Sequence, residues 1–176
     1  MKNNNDQNFI SINVLEYVTV IINYCGARMA YMEDGFTGDP HPVVFCVTHN
    51  VSAKNWMMHT CKKSIIGRAL ARFFCGLLIG SEVGINAKWI STVANKIADN
   101  ILRLKKSLTS TTSSFTYNDF SKLKQDHADL KHWYCRFYHP SQELLSMIWK
   151  IALTRKLPDL DIVLALKLSG LGKLSG

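Results

Sequence analysis

The sequence predicts an α/β domain, with helices packed on a short sheet, followed by a small helical segment. Three observations predict it. Val43 to Val47 is a short apolar run rich in β-formers, set just behind Pro40 and Pro42, and reads as a buried strand. Apolar residues recur at helical spacing from Ser64 to Ile79, and an alternating stretch, Ile85 to Thr92, follows. With a helix before the first strand and another after the last, the order helix, strand, helices, strand, helix is that of helices layered on a sheet.

Each element has its own warrant. In the segment 64–79, Ile65, Ile66, Ala69, Leu70, Phe73, Phe74, Leu77 and Leu78 cover one broad face, while Arg68 and Arg72 stack four apart on another, the pattern of a core-packing helix with basic edges. Gly80 or Gly84 ends it, and Ile85 to Thr92 alternates as a strand before the helix that carries Asp99. Past Lys106, the stretch Ser107 to Thr116 has neither charge nor apolar periodicity and reads as a Ser/Thr linker. The expected organisation is therefore a domain at 10–106, a linker at 107–116 and a helical segment at 117–176. Within the last, Tyr117 to Trp133 is amphipathic, Pro140 and Ser141 start a second helix, and Pro158 interrupts it. A short apolar stretch, Leu160 to Leu168, precedes a Gly-rich end at Ser169 to Gly176.

Two segments carry a more specific signal. In Val43-Val-Phe-Cys-Val-Thr-His-Asn50, Asn50 is followed by Ala53 and Trp56; in Asn95-Lys-Ile-Ala-Asp-Asn-Ile-Leu-Arg103, Ala98 and Asp99 sit between Asn95 and Arg103. They resemble two corners of the metal site in the ribonuclease H domains of retroelement polyproteins, where the strand ends Thr-Asp-Asn and the closing motif is Asn-x-x-Ala-Asp-x-Leu-Ser-Arg. His49 stands where the first Asp belongs, and Ile101 and Leu102 depart from the second motif. Upstream, Ile12-Asn-Val-Leu-Glu16 resembles the start of the family's first helix, where a Glu contributes to the metal cluster. The family's remaining Asp lies on an opening strand. Asp6 is too close to Glu16 to be it, so the chain is expected to begin inside the domain, with a sheet lacking its opening strands.

The resemblance covers roughly residues 10–106 and implies a partial ribonuclease H-like fold, a relic of a retrotransposon whose domain works beside a reverse transcriptase and degrades the RNA strand of RNA/DNA hybrids. It implies Glu16 and Asp99 as catalytic and metal-holding residues and Mg²⁺ as the ancestral cofactor. Such enzymes use two divalent ions to activate water and stabilise the leaving oxygen, and hard ions prefer carboxylate and water oxygens to imidazole. With His49 in place of an Asp, the expected outcome is an inactive or very feeble nuclease that need bind no metal.

Charge mapping adds a second theme. Residues 53–106 hold ten Lys or Arg against two acids, an excess equal to the whole formal net charge of +8. Phosphate is the natural partner of such a stretch, and Lys54, Lys62, Lys63, Arg68, Arg72, Lys88 and Arg103 are the candidate nucleic-acid contacts. A solvated helix face explains the same charges.

Composition predicts an ordinary folded chain, with 176 residues and 47% hydrophobic content. The N-terminal Met1 to Gln7 has no apolar core of a signal peptide, and no uncharged apolar run of about 18 residues spans a bilayer. Five scattered cysteines suit reduced thiols in an intracellular setting, cytoplasmic or nuclear. Zinc readings of Cys46, His49, His59 and Cys61, or of His127, His132, Cys135 and His139, fit no familiar spacing, and buried thiols with loop imidazoles explain them more simply. Trp56, Trp89, Trp133 and Trp149 read as core more readily than as base-stacking platforms. Glu16 and Asp99 also have a plain explanation, as acids in the first turn of a helix.

Two functional classes follow. One is a degenerate ribonuclease H-like fragment whose partners are an RNA/DNA hybrid and the rest of a polyprotein. The other is a non-catalytic basic module that binds nucleic acid or protein through the helix around Arg68 and Arg72. A membrane-surface role for that helix is weaker, because Phe73, Phe74 and Leu77 suit a core.

Overall fold

A 23-residue helix, α1 (Ile12–Asp34), organises the molecule. Its buried residues Val14, Tyr17, Ile21, Tyr24 and Cys25 fall three and four apart, so they form one stripe down the helix. The structure is a computed structural model and describes residues 10–34, 42–59, 63–95, 121, 125, 137–156 and 159–175.

β1 (Val43–Thr48) and β2 (Gly84–Trp89) pair in parallel along their full lengths, from Val43 opposite Gly84 to Thr48 opposite Trp89. A parallel pair requires a crossover, and α2 (Val51–Met58) and α3 (Ile65–Leu78) supply it. Both helices start at side-chain caps: the Asn50 Oδ1 accepts the Ala53 N–H and the Ser64 Oγ accepts the Gly67 N–H, each satisfying an amide the first turn leaves open. α3 stops where expected, with Gly80 at φ 63° just past its end, a conformation that suits glycine. The Tyr24 hydroxyl then anchors the chain before β2, donating to the Val83 carbonyl at 2.8 Å beside the Ser81 hydroxyl at 2.9 Å. Burial pushes the ionisation of this phenol up, partly offset by the Ser81 bond.

The C-terminal elements are β3 (Phe137–Pro140), α4 (Gln142–Thr154), α5 (Leu160–Ser169) and β4 (Gly172–Ser175), with β3 and β4 forming a second two-stranded sheet. The Ser141 Oγ caps α4 through the Leu144 N–H, and α4 ends at Arg155 in the left-handed region, φ 60°. Leu144, Ile148, Ile151, Val163, Leu166 and Leu171 join Tyr17, Tyr24, Leu70, Phe73, Phe74 and Leu77 in one hydrophobic core. Tyr138 packs against α1 at Gly26, where a Cβ would stand 2.7 Å from the ring Cγ. Gly172 lies so close to the His139 carbonyl that no side chain fits there, and its φ of 152° is likewise a glycine conformation.

Four expectations change. Residues 138–175 do not stand apart from the N-terminal part: Met1–Trp89 and Tyr138–Ser175 make one compact unit, and Ile90–Phe137 with Gly176 a second. The apolar faces of α4 and α5 are buried against α3, which is why they share its unit. The Val43–Val47 run is covered on one face, with Cys46 and Thr48 buried but Phe45 67% exposed; alternate residues of a pleated strand face opposite ways, and the described elements cover one side. The expected strand at 85–92 ends at Trp89, and of the second unit the structure describes a 3₁₀ turn at Thr92–Ala94, opened by Ser91. The Gly-rich end, part of the segment expected to be helical, forms β4. The linker 107–116 lies outside the described residues, as does nearly all of the Tyr117–Trp133 segment.

No helix among the described residues is long and apolar enough to cross a membrane. Phe73, Phe74 and Leu77 are all buried, as core residues of α3.

Candidate functional site

Thr48, His49 and Asn50 leave the C-terminal end of β1 as a tight corner. The buried Thr48 hydroxyl accepts the Asn50 N–H at 3.1 Å, and the Trp89 indole, at the matching end of β2, donates to the His49 carbonyl at 2.9 Å. Asn50 is used three ways: its N–H reaches Thr48, its Oδ1 caps α2, and its Nδ2 donates to the Asn13 Oδ1 at 2.9 Å. That last bond draws the first turn of α1 onto the end of the strand.

Glu16 follows Asn13 by three residues and so lies on the same face of α1. Its Oε1 is 3.8 Å from the His49 Nε2, with side chains 26% and 40% exposed. The distance suits an ion pair when the imidazole is protonated and is too long for a direct hydrogen bond. Two of the three residues singled out by sequence thus converge at the end of a parallel sheet. The third, Asp99, lies outside the described residues, as do Lys62 and Arg103.

Glu16 has no first-turn partner role to explain it: the first turn of α1 holds no acidic residue, and Glu16 sits one position beyond it. Asn50 is chiefly structural, as a helix cap. Asn13 was missed by sequence, because a lone Asn near a helix start predicts a cap for its own helix and not a bond to a residue 37 positions away.

The described donors at this corner are one carboxylate, one imidazole and two amides already bonded to each other. A two-magnesium centre calls for several convergent carboxylates, so this donor set does not fit one. No group of three or more His, Cys, Asp or Glu converges among the described residues. Cys46 is buried, as its place on the inner face of β1 requires, and burial pushes its thiol up to about 11, the reverse of the thiolate a zinc site needs.

The basic residues divide. Lys63, Arg68, Arg72 and Lys88 are exposed and Lys54 is half-buried. Arg68 and Arg72 line an open groove of about 810 Å³ whose described lining includes neither Glu16 nor His49. Trp56 meets Tyr17 edge to face, centroids 5.7 Å apart, whereas Trp89 and Trp149 are each 46% exposed. The sequence matches no family model, no curated protein and no solved structure.

Proposed function

We propose that this chain carries a retroelement ribonuclease H-like region whose metal centre has decayed, leaving it catalytically silent toward RNA/DNA hybrids. The observation that carries the reading is the meeting of Glu16 and His49, 3.8 Å apart at the end of β1. Two segments chosen for their likeness to a nuclease centre are distant in sequence and adjacent in space. The crossover β1, α2, α3, β2 supports the same reading by its order.

On this reading the imidazole took the place of a carboxylate. Removing a negative charge weakens the attraction for two divalent cations, and a protonated ring would repel them. Glu16 then pairs with His49 instead of a metal. The proposed setting is intracellular, within a reverse-transcription polyprotein, with Mg²⁺ as the ancestral ion.

The test is cleavage of an end-labelled RNA/DNA hybrid with Mg²⁺ or Mn²⁺. No product above that of Glu16→Gln is expected; turnover comparable to an intact nuclease domain overturns the reading. His49→Asp supplies a second measurement. It restores a carboxylate beside Glu16, so millimolar Mn²⁺ should raise its Tm while leaving that of the parent unchanged.

A second reading, a non-catalytic basic module, is favoured by the exposure of Lys63, Arg68, Arg72 and Lys88. Phosphate contacts of this kind give affinity that falls steeply with salt and varies little with base sequence.

A further inference from the structure

The small parallel sheet turns one face to the core and one to water, and the outer face consists of two rows of different chemistry. Residues in register on paired strands lie on the same side, so the outer row of β1, Val43, Phe45 and Val47, runs beside the outer row of β2, Gly84, Asn86 and Lys88. All six are exposed, Phe45 by 67%. The first row is apolar with an aromatic ring at its centre. The second carries an amide directly beside that ring and an amine one step further on, at Lys88.

We propose that this outer face binds single-stranded nucleic acid, with a base stacked on the Phe45 ring, the Asn86 amide at the base edge and the Lys88 amine on an adjoining phosphate. The inference rests on the second reading above, that of a nucleic-acid-binding module, and moves the centre of binding from α3 to the sheet. Paired strands lie about 4.8 Å apart, which puts Asn86 within reach of the edge of a group stacked on Phe45 and Lys88 about 8 Å away on the diagonal. The flexible four-carbon stem of the lysine covers that span. Gly84, without a side chain, leaves the other diagonal low, so a planar group can lie flat over the ring. Charge sets the sign and the direction of the ligand. β2 belongs to the stretch 53–106, whose basic excess equals the formal net charge of +8, and a polyanion is its complement. Asp34 lines a groove of about 400 Å³ with Val43 and Phe45, and exposed Glu82 precedes β2 by two residues, so both acids stand at the start of the strands. Lys88 stands near their end, and phosphates therefore lie on its side of the Phe45 ring.

The pairing of the two rows argues against a partner helix in the same place. A helix laid across the sheet covers both rows, and taking Asn86 and Lys88 out of water without new partners is costly. A nucleotide satisfies both: its base edge donates and accepts hydrogen bonds, and its phosphate takes the ammonium. A duplex is a poorer fit, because its bases are already stacked on one another and turn no flat face outward. Stacking uses the π-face of a base and is tolerant of sequence, so RNA and DNA single strands are both ligands of this face.

The probes are fluorescein-labelled oligouridylate and oligothymidylate of about 12 nucleotides, with a DNA duplex of the same length, titrated into the full chain by fluorescence anisotropy. Saturable binding of both single strands, weakened by salt and clearly tighter than that of the duplex, is the expected result. Phe45→Ala should weaken it about tenfold and Phe45→Trp should keep it. Lys88→Gln should weaken it severalfold and lower the slope of log affinity against log salt by about 0.7, the value for one phosphate contact on a single strand. Leu153→Ala, which removes an exposed apolar side chain of α4, should change nothing. Each substituted side chain is exposed, and far-UV circular dichroism matching the parent verifies the fold. Binding that Phe45→Ala leaves intact while Arg68→Glu with Arg72→Glu abolishes it overturns the proposal and leaves the basic-module reading standing. Failure of single strand and duplex alike overturns both, and self-association of the chain that Phe45→Ala reverses makes the face a protein interface and overturns the proposal.

Discussion

The helical core and the corner at the end of β1 are built on opposite terms. Around α1 and α3, Tyr17, Tyr24, Phe73, Phe74, Leu70 and Leu77 are essentially removed from water, and Phe74 meets Tyr24 and Tyr17 edge to face at 5.2 and 6.4 Å. At the corner, Glu16 and His49 stay partly exposed, and position depends on a few polar bonds through Asn50, Asn13 and Trp89. Burial is nondirectional and holds elements together, while hydrogen bonds direct particular atoms. The stability of this protein is therefore concentrated in its helices, and its most specific geometry hangs from their edge.

The largest expected effect tests the core. Phe74→Ala empties the aromatic cluster that joins α1 to α3 and should cost about 3–5 kcal/mol in urea unfolding. A loss under about 1 kcal/mol would place the stabilising contacts elsewhere. Gly26→Ala comes next. Its new Cβ meets the Cβ and Cγ of Tyr138, atoms near the backbone that cannot swing away, so a loss of about 1–3 kcal/mol is expected. Pairing it with Tyr138→Ala should recover part of that loss, as a double-mutant cycle reads directly.

At the corner, Asn50→Ala removes the α2 cap and the bond to Asn13 together, for about 1 kcal/mol of stability. Its sharper signature is local: amide exchange at Ala53 should speed up while the amides of α3 keep their protection. Uniform acceleration would mean that corner and core open as one.

The smallest effect compares two buried thiols. Burial pushes Cys25, in the core, up to about 12, against a weak lowering by Arg28, and pushes Cys46, in β1, up to about 11. Both are protonated at pH 8, and the thiolate is the reactive form. Among the three described thiols, iodoacetamide followed by peptide mapping should therefore label exposed Cys75 first, Cys46 later and Cys25 last. Cys25 reacting before Cys46 would reverse the ranking of the two regions. The same shifts have a sign in stability. A thiol whose folded value is raised favours the folded state below its ordinary value, so this contribution is complete below about pH 9 and is lost as pH climbs towards 12.

Much of the fold is legible in local patterns. The α3 helix, its Ser64 start, its Gly80 stop and its buried stripe all follow from spacing within a few residues, as does the start of α4 at Ser141. The short strands β3 and β4 escape such reading. Phe137 to Pro140 and Gly172 to Ser175 are four residues each and lack a periodic signal, and they are strands because each meets the other. The open face of β1 was hidden for a related reason: a run of five apolar residues implies cover on both sides, and only the packed elements reveal which side has it.

The amino-acid sequence on its own determined the helix-rich α/β character, the basic middle of the chain and the choice of Glu16 and His49 as residues of interest, because composition, period and motif are properties of neighbours along the chain. The three-dimensional arrangement decided that Glu16 lies against His49, that Asn13 braces Asn50, and that helices beyond the Ser/Thr stretch return to cover α3. Those are contacts between residues dozens of positions apart, and their free energy comes from surface removed from water and polar atoms paired only once the chain has folded.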